Sequence, residues 1–383
     1  MSRKNVVIWK RSWLPSSETF IRNQVSALSS WRATCVGISR VEGSLASDTD
    51  EILFDDSFRD WVALRLLTIT GRSPRIEASI RQAQAQLVHA HFAPEAVKIY
   101  RLARHMRLPL VVTVHGHDVT AGAQIPGIRG ALYRARARRM FKAAHKVIAV
   151  SEFIRERAIE MGAPRGRTTV EYIGIPVSRT SPRASDLVDV QKKWDIAFVG
   201  RLVAKKGVMD LLEAVRRLDE SGREINAVIV GSGPLEAELK AFASRNHLNV
   251  HFAGHQTQVQ VRETLSAARI FCGPSQTSPD GDSEGFGLVF LEAASRSLPV
   301  VAYKHGGVPE AVVDQETGLL SDEGDITGLV SSLTRLLDDE PLRRSLGANA
   351  LQRLESSFDI DSRTRSLERL YDQVTEGRIE TSG

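Results

Sequence analysis

The sequence predicts an α/β protein built from two doubly wound parallel-sheet domains. Three observations carry the prediction: the length, an alternation of short β-branched runs with longer helical stretches, and one polar break near the middle. At 383 residues the chain exceeds one ordinary core and suits two domains of roughly 150–200 residues each. Apolar residues form 42% and charged residues 25% of it, a balance that fills cores and argues against disorder.

The runs in the first half are Val6–Trp9, Leu87–His91, Leu110–His115, Val147–Val150 and Thr169–Ile173. Those in the second half are Ile196–Val199, Ala227–Val230, Val250–Ala253, Ile270–Cys272 and Val300–Ala302. Short apolar runs separated by helical stretches imply parallel strands covered on both faces. Ligands of such sheets lie beyond the carboxyl ends of the strands, so the residues after each run are the site candidates. The break is SRTSPRASDLVDVQKK, from Ser178 to Lys193, polar and without a sustained apolar period. The predicted domains are therefore residues 1–185 and 186–359.

No stretch is long and apolar enough to span a bilayer; Trp61 to Thr70 is short and carries Arg65. Val6-Val7-Ile8-Trp9 between Lys4 and Lys10 is too short for a secretion signal, and the expected location is the cytoplasm. Cys35 and Cys272 have no metal-site spacing and are expected to be small buried residues. The net charge of +5 hides an asymmetry. Residues 1–185 carry 29 Lys/Arg against 15 Asp/Glu, a net of +14, while residues 186–383 carry a net of −9. A basic half attracts phosphate-rich partners, whether nucleic acid or an anionic lipid surface. Aromatics at 6% and the lack of any reading motif argue against nucleic acid.

The strongest chemical signal is GPSQTSPDGDSEGFGLVFLEA, which follows the run Ile270–Cys272. Gly285-Phe286-Gly287 opens a helical stretch, where free backbone N–H groups and the helix dipole favour an anion and glycine admits close approach. Glu284 and Glu292 bracket this turn. Eight helical steps would separate them by about 12 Å along the axis, too far for a carboxylate dyad but suited to the two ends of an elongated ligand. The same pair also fits two solvated surface glutamates. The second signal is GRLVAKKG after Ile196–Val199. Arg201 and Lys206 there can hold a diphosphate through charge-assisted hydrogen bonds worth roughly 1.5–3 kcal/mol each, although a solvated basic turn reads the same way. The third, Gly231-Ser232-Gly233-Pro234, permits backbone approach to a ligand and is also an ordinary strand-to-helix turn.

In the basic half, His89-Ala90-His91 closes one run and His115-Gly116-His117-Asp118 follows another. A polar cluster after a buried strand is a sugar- or phosphate-contact candidate, with helix capping as the alternative. His115 and His117 have no evident third ligand, so no metal is expected. Leu14-Pro15-Ser16-Ser17-Glu18-Thr19 follows the first run; Ser16 or Ser17 with the following Glu18 reads as a helix N-cap that also faces a cleft. Seven basic residues lie between Arg129 and Lys146, around an apolar stripe of Tyr133, Ala137, Met140, Phe141 and Ala144. This is a core-packed helix whose basic face meets either solvent, lipid headgroups or a pyrophosphate.

The segment PDGDSEGFGLVFLEA…LPVVAYKHGGVPEAVVDQETGLL resembles the donor-site signature of the retaining glycosyltransferase family 4, including its Glu-x7-Glu pattern as Glu284 and Glu292. GRLVAKKG resembles that family's diphosphate turn, and VIVGSGPLEAELK and HFAGH fall in the expected order between them. LPSSETFI, VHAHFAPEA and VTVHGHDV resemble the bacterial exopolysaccharide branch, of colanic-acid type. The resemblance spans Leu14 to about Leu320. It implies a GT-B fold, two Rossmann-like domains facing across a cleft, with an acceptor-side first domain, a nucleotide-sugar-binding second domain, and a C-terminal helix at about 360–376 packing back on the first. It implies a retaining, metal-independent hexosyltransferase without a cofactor. The donor is a UDP- or GDP-sugar and the acceptor a glycan, free or lipid-linked, at the inner face of a membrane. By matching position, Arg201 and Lys206 hold the diphosphate, Glu284 the sugar hydroxyls, the Gly285–Gly287 backbone the sugar and phosphates, and Glu292 the ribose. Gly231 and Gly233 line the donor site, and His115 contacts the sugar near its reacting carbon. Ser16, Ser17, Glu18, Thr19, His91, His117 and Asp118 fall on the acceptor side. One departure is plain: the loop after the first run reads PSSET, where many relatives have Gly-Gly. The alternatives are a sugar phosphorylase or nucleotide-sugar epimerase of the same fold, or a non-catalytic assembly partner.

Overall fold

The computed structural model describes residues 3–15, 18–41, 45–54, 62, 65–67, 69–177 and 192–377. Most of the polar break (178–191) and both Ser16 and Ser17 lie outside the described residues. The chain forms two compact units, Met1–Pro176 with Ile360–Gly383, and Val177–Asp359.

Among the described residues, the first unit holds seven strands: β1 (Lys4–Trp13), β2 (Trp31–Arg40), β3 (Glu51–Ile52), β4 (Leu87–His91), β5 (Leu110–Val114), β6 (Lys146–Ala149) and β7 (Thr168–Val170). Their order is β3-β2-β1-β4-β5-β6-β7, with every neighbouring pair parallel. The order reverses between β1 and β4, which makes their carboxyl ends the crevice of this sheet. β1 runs beyond the apolar run that announces it. Its pairing with β2 continues to Trp13 opposite Arg40, so ladder hydrogen bonds, not apolar content, carry Lys10 and Arg11. The sequence does not announce β2, because Arg32, Thr34, Gly37 and Ser39 interrupt its apolar residues.

The helix Ile360–Thr375 returns to this unit. Its Leu367, Leu370, Tyr371 and Val374 pack with Val6, Ile8, Trp13 and Trp31 in one apolar core. Glu368 points its carboxylate at the start of β2. It accepts the backbone N–H groups of Ser29, Ser30 and Trp31 at 2.8, 2.7 and 3.0 Å, and the Ser29 hydroxyl at 2.8 Å.

The second unit has a six-stranded sheet: β8 (Trp194–Val199), β9 (Ala227–Val230), β10 (Val250–Gly254), β11 (Ala268–Gly273), β12 (Val300–Tyr303) and β13 (Gly318–Ser321), in the order β10-β9-β8-β11-β12-β13. All pairs are parallel, and the reversal falls between β8 and β11. The apolar faces of the helices Val208–Glu220 and Ile326–Asp338 close over Ile196, Phe198, Ile229 and Ile270. The sequence misses β13 too, since a four-residue edge strand beginning at Gly318 has almost no apolar period of its own. Cys35 and Cys272 are both buried free thiols. No helix among the described residues is long and apolar enough to cross a membrane.

Candidate active site

In the second unit, chemistry gathers where β8 and β11 end. The turn after β8 closes in Lys205-Lys206-Gly207, and Gly207 starts the helix Val208–Glu220 at φ +62°. A side chain on Gly207 would come within 1.9 Å of the Pro274 carbonyl, so only glycine brings the lysines this close to the end of β11. The Lys206 ammonium pairs with Glu284, and Lys205 pairs with Asp282 at 2.7 Å. The Ser275 hydroxyl donates to the same Glu284 oxygen at 3.4 Å. Burial pushes the Glu284 carboxyl up, but Lys206 and Lys205 outweigh it and hold the group ionised below the ordinary range.

The Glu284 main chain is held as firmly as its side chain. Its N–H donates to His305 Nε2 at 3.2 Å, and its carbonyl accepts the Gly307 N–H at 2.9 Å. Because Nε2 accepts, the proton of a neutral His305 sits on Nδ1, which donates to Glu323 at 2.8 Å. Glu323 in turn accepts the Thr277 N–H at 2.6 Å. Side chains on Gly306 or Gly307 would strike the Glu284 and Gly285 carbonyls at 2.3 and 2.1 Å. Sequence reasoning missed His305, Glu323, Lys205 and Asp282. The signal was there in KHGGVPE, where a histidine precedes two glycines directly after a strand.

The other expected donor residues fall in different settings. Arg201 is exposed just beyond β8. Gly231 and Gly233 pack against the backbone of Gly200 and Leu202, so each also keeps the ends of β8 and β9 together. Gly287 occupies the N-cap of the helix Leu288–Ala294. Phe286 buries its ring beside Phe358, centroids 5.4 Å apart, which leaves only its backbone to meet a ligand. Glu292 is half-buried. Burial pushes its carboxyl up to about 7, against the pull of Arg262 and Lys206. A folded value above the unfolded one means that this group stabilises the fold in acid and that the contribution fades as pH rises through about 7. Glu292→Gln, fixed neutral, should therefore gain thermal stability relative to the parent as pH goes from about 5 to about 8. Parallel pH profiles of the two melting points would rule this out.

In the first unit, a second cluster forms at the carboxyl ends of β1, β4 and β5. His91 Nδ1 and His115 Nε2 lie 3.1 Å apart, with the rings stacked. Phe20 and Phe92 flank His115 at centroid distances of 4.8 and 4.4 Å. Burial holds the His91 and His115 imidazoles far below their usual range, His115 at about 3, with Lys10 adding to the effect. His91 Nε2 and His115 Nδ1 are buried without a hydrogen-bond partner among the described residues. Beneath them His89 bridges Thr113 and Tyr371 at 2.7 and 2.6 Å. Lys10 and Glu18 form a largely buried ion pair at 3.0 Å. Glu18 also sits at the N-cap of the helix Thr19–Ser26 but makes no capping bond with its side chain. Glu18 holds the N-cap position with its carboxylate committed to Lys10, while Ser16 and Ser17, from which the sequence predicts a cap, lie outside the described residues. Thr19 is the first residue of that helix. Asp118 is a clasp: it accepts the N–H groups of Ala93, His115 and Gly116 at 2.9, 3.1 and 3.0 Å, tying the turn after β5 to the start of the helix Ala93–His105. His117 is exposed on that turn. Among the described residues, no three His, Cys, Asp or Glu side chains converge as a metal set.

Residues 18–179 match the family described as Glycosyltransferase Family 4, and residues 184–353 match Glycosyl transferases group 1. The chain belongs to these glycosyltransferases. An Escherichia coli glycosyltransferase assigned to colanic acid biosynthesis is 29% identical to it, over 74% of this chain and 70% of that one. A GDP-mannose-dependent monoacylated α-(1-6)-phosphatidylinositol monomannoside mannosyltransferase of Corynebacterium glutamicum is 31% identical, over 65% of this chain and 66% of that one. The crystal structure of Anabaena HepE in complex with UDP and glucose has the same fold. Its TM-score is 0.79 at 20% identity, covering 97% of this chain and all of that one. This glycosyltransferase thus has the GT-B architecture of two Rossmann-like units.

Proposed function

We propose that this glycosyltransferase moves a hexose from a UDP- or GDP-sugar to a lipid-linked glycan in exopolysaccharide synthesis, with retention at the anomeric carbon and without a metal. The observation that carries the reading is the Lys206–Glu284 pair at the β8/β11 reversal, with Lys205–Asp282 beside it. Cleaving the bond from the anomeric carbon to the diphosphate oxygen puts negative charge on the departing nucleoside diphosphate. The Lys206 ammonium and the Arg201 guanidinium supply fixed positive charge there, the role a metal otherwise fills. Glu284, turned from Lys206 to the incoming sugar, accepts hydrogen bonds from its hydroxyls and fixes the ring. The acceptor hydroxyl bonds to the anomeric carbon on the face the phosphate leaves, and its proton passes to the departing phosphate oxygen. The relatives support the rest of the reading: one is assigned to colanic acid biosynthesis, and another uses GDP-mannose on a lipid acceptor.

The first test is a thermal-shift screen with UDP, GDP, ADP and inorganic phosphate. A ligand at about 100 times its dissociation constant adds about 2.7 kcal/mol of stability. One nucleoside diphosphate is expected to raise the melting point and the others not. No response to any of the four would sink the donor site. In a transfer assay with the responding donor, excess EDTA should leave the rate within about twofold and the product should keep the donor's anomeric configuration. Loss of activity restored by magnesium would overturn metal independence.

A further inference from the structure

The helix Gly127–Ala143 buries Gly130, Ala137, Met140 and Phe141. On its opposite side, Ile128, Leu132, Arg139 and Lys142 fall within about 80° of one another at 100° per residue, and all four are exposed. The stripe is divided. Ile128 and Leu132, 87% and 47% exposed, form its apolar end, and the two cations form the other. At the cationic end the helix borders a groove of about 720 Å³ shared with Arg101 and Arg104 of the helix Ala93–His105. A second cavity of about 330 Å³ shares Tyr100, Arg104 and Ala143 with it and adds Arg107. Among the described residues, neither cavity is lined by a carboxylate.

We propose that this stripe and groove dock the first unit onto an anionic phospholipid bilayer. A soluble anion explains the cations but not the exposed isoleucine and leucine on the same face of the same helix. An interface needs both, aliphatic groups to enter the acyl boundary and cations to meet headgroup phosphates. From Ile128 to Lys142 the stripe runs about 21 Å, longer than one headgroup and suited to a surface. The direction of the helix adds a consequence. It connects parallel strands β5 and β6 and so runs back against them. Ile128 and Leu132 therefore sit at the carboxyl-end side of the sheet, the side of His91 and His115. A membrane that takes up the apolar end lies beside that cluster, where the lipid-linked acceptor proposed above would present its glycan; in that respect the inference rests on that reading.

Vesicle flotation of the full chain near 0.15 M salt tests it, with phosphatidylcholine vesicles against vesicles that also contain phosphatidylglycerol. Binding is expected to the anionic vesicles alone. The double variant Arg104→Glu/Arg139→Glu should weaken it by about thirtyfold or more, at roughly fivefold for each basic side chain lost. Ile128→Ser/Leu132→Ser should release the protein at a salt concentration that the parent still tolerates, because only electrostatic attraction is screened. Equal, negligible binding to both vesicles, or variants that float like the parent, would overturn the proposal. So would binding of inorganic polyphosphate, lost in Arg104→Glu/Arg139→Glu, by a protein that ignores vesicles, since that assigns the groove to a soluble anion. The nucleotide response of each variant is read in parallel. If it persists while flotation fails, the donor reading stands and the membrane surface falls.

Discussion

Lys206→Ala is expected to lower kcat/KM for sugar transfer by about a thousandfold, since removing one preorganised donor to transition-state charge costs roughly 10²–10³. The variant carries a second, separable penalty. In the parent, two lysines overcome the burial that pushes the Glu284 carboxyl up. Without Lys206 only Lys205 and His305 oppose the burial, and the Glu284 carboxyl keeps its proton to higher pH in the variant than in the parent. By linkage, the deficit of Lys206→Ala against the parent is smallest in acid, where the carboxyl is protonated in both, and grows as pH rises through the range in which the parent's carboxyl ionises first. The double variant Lys206→Ala/Glu284→Gln leaves no unpaired buried charge. It should regain most of the stability and none of the turnover. Turnover recovered along with stability would make the pair structural and remove Lys206 from the chemistry.

Glu368→Ala is expected to give the largest loss of stability. Its carboxylate serves three backbone N–H groups and one hydroxyl at the start of β2. Bonds to a charged acceptor contribute roughly 1.5–3 kcal/mol each where no substitute exists, and the buried Trp31 N–H has little access to water. Allowing water to reach the exposed members, a loss of about 4 kcal/mol is expected, or a drop of roughly 8–16 °C in the melting point at 2–4 °C per kcal/mol. Glu368→Gln, which keeps a carbonyl oxygen for the N–H groups, should recover part of it. Burial raises the Glu368 carboxyl, but the donors outweigh it and hold it below the ordinary range. Its contribution is therefore present above the unfolded value near about 4.3 and fades as pH falls below it. A melting point within about 2 °C of the parent for Glu368→Ala would show that the first unit does not need this clasp.

The inner strands were legible because each is a short, continuously apolar run buried on both faces. Of the strands at the edges, β7 and β10 were legible as Thr169–Ile173 and Val250–Ala253, but β3 and β13, and β2 beside β3, were not. β2 carries Arg, Thr and Ser among its apolar residues, and β13 is four residues long, so their evidence lies in backbone pairing that composition does not record. The same division holds for the site. Lys206 and Glu284 each stood out from their own turns, yet nothing in either turn says that they meet across 78 positions. The reversal of strand order between β8 and β11 brings them together. The His305–Glu323 support lay in plain sight and was missed, since a histidine before two glycines marks a turn as readily as a relay. At Asp118 a carboxylate after a buried strand reads equally as a ligand contact or a helix cap, and the structure shows it accepting three backbone N–H groups.

The His91–His115 contact has a consequence in proton counting. Both rings are neutral, so the pair carries two ring protons, and one of them lies in the hydrogen bond between the rings. One proton then remains for the two outward nitrogens, His91 Nε2 and His115 Nδ1. In either tautomeric arrangement one of them offers a proton and the other a lone pair, and a concerted shift exchanges the two roles. Such a couple favours a guest that can both give and take. A hydroxyl does so in either arrangement; an ammonium finds a lone pair at one nitrogen only, and a carboxylate a proton at one nitrogen only.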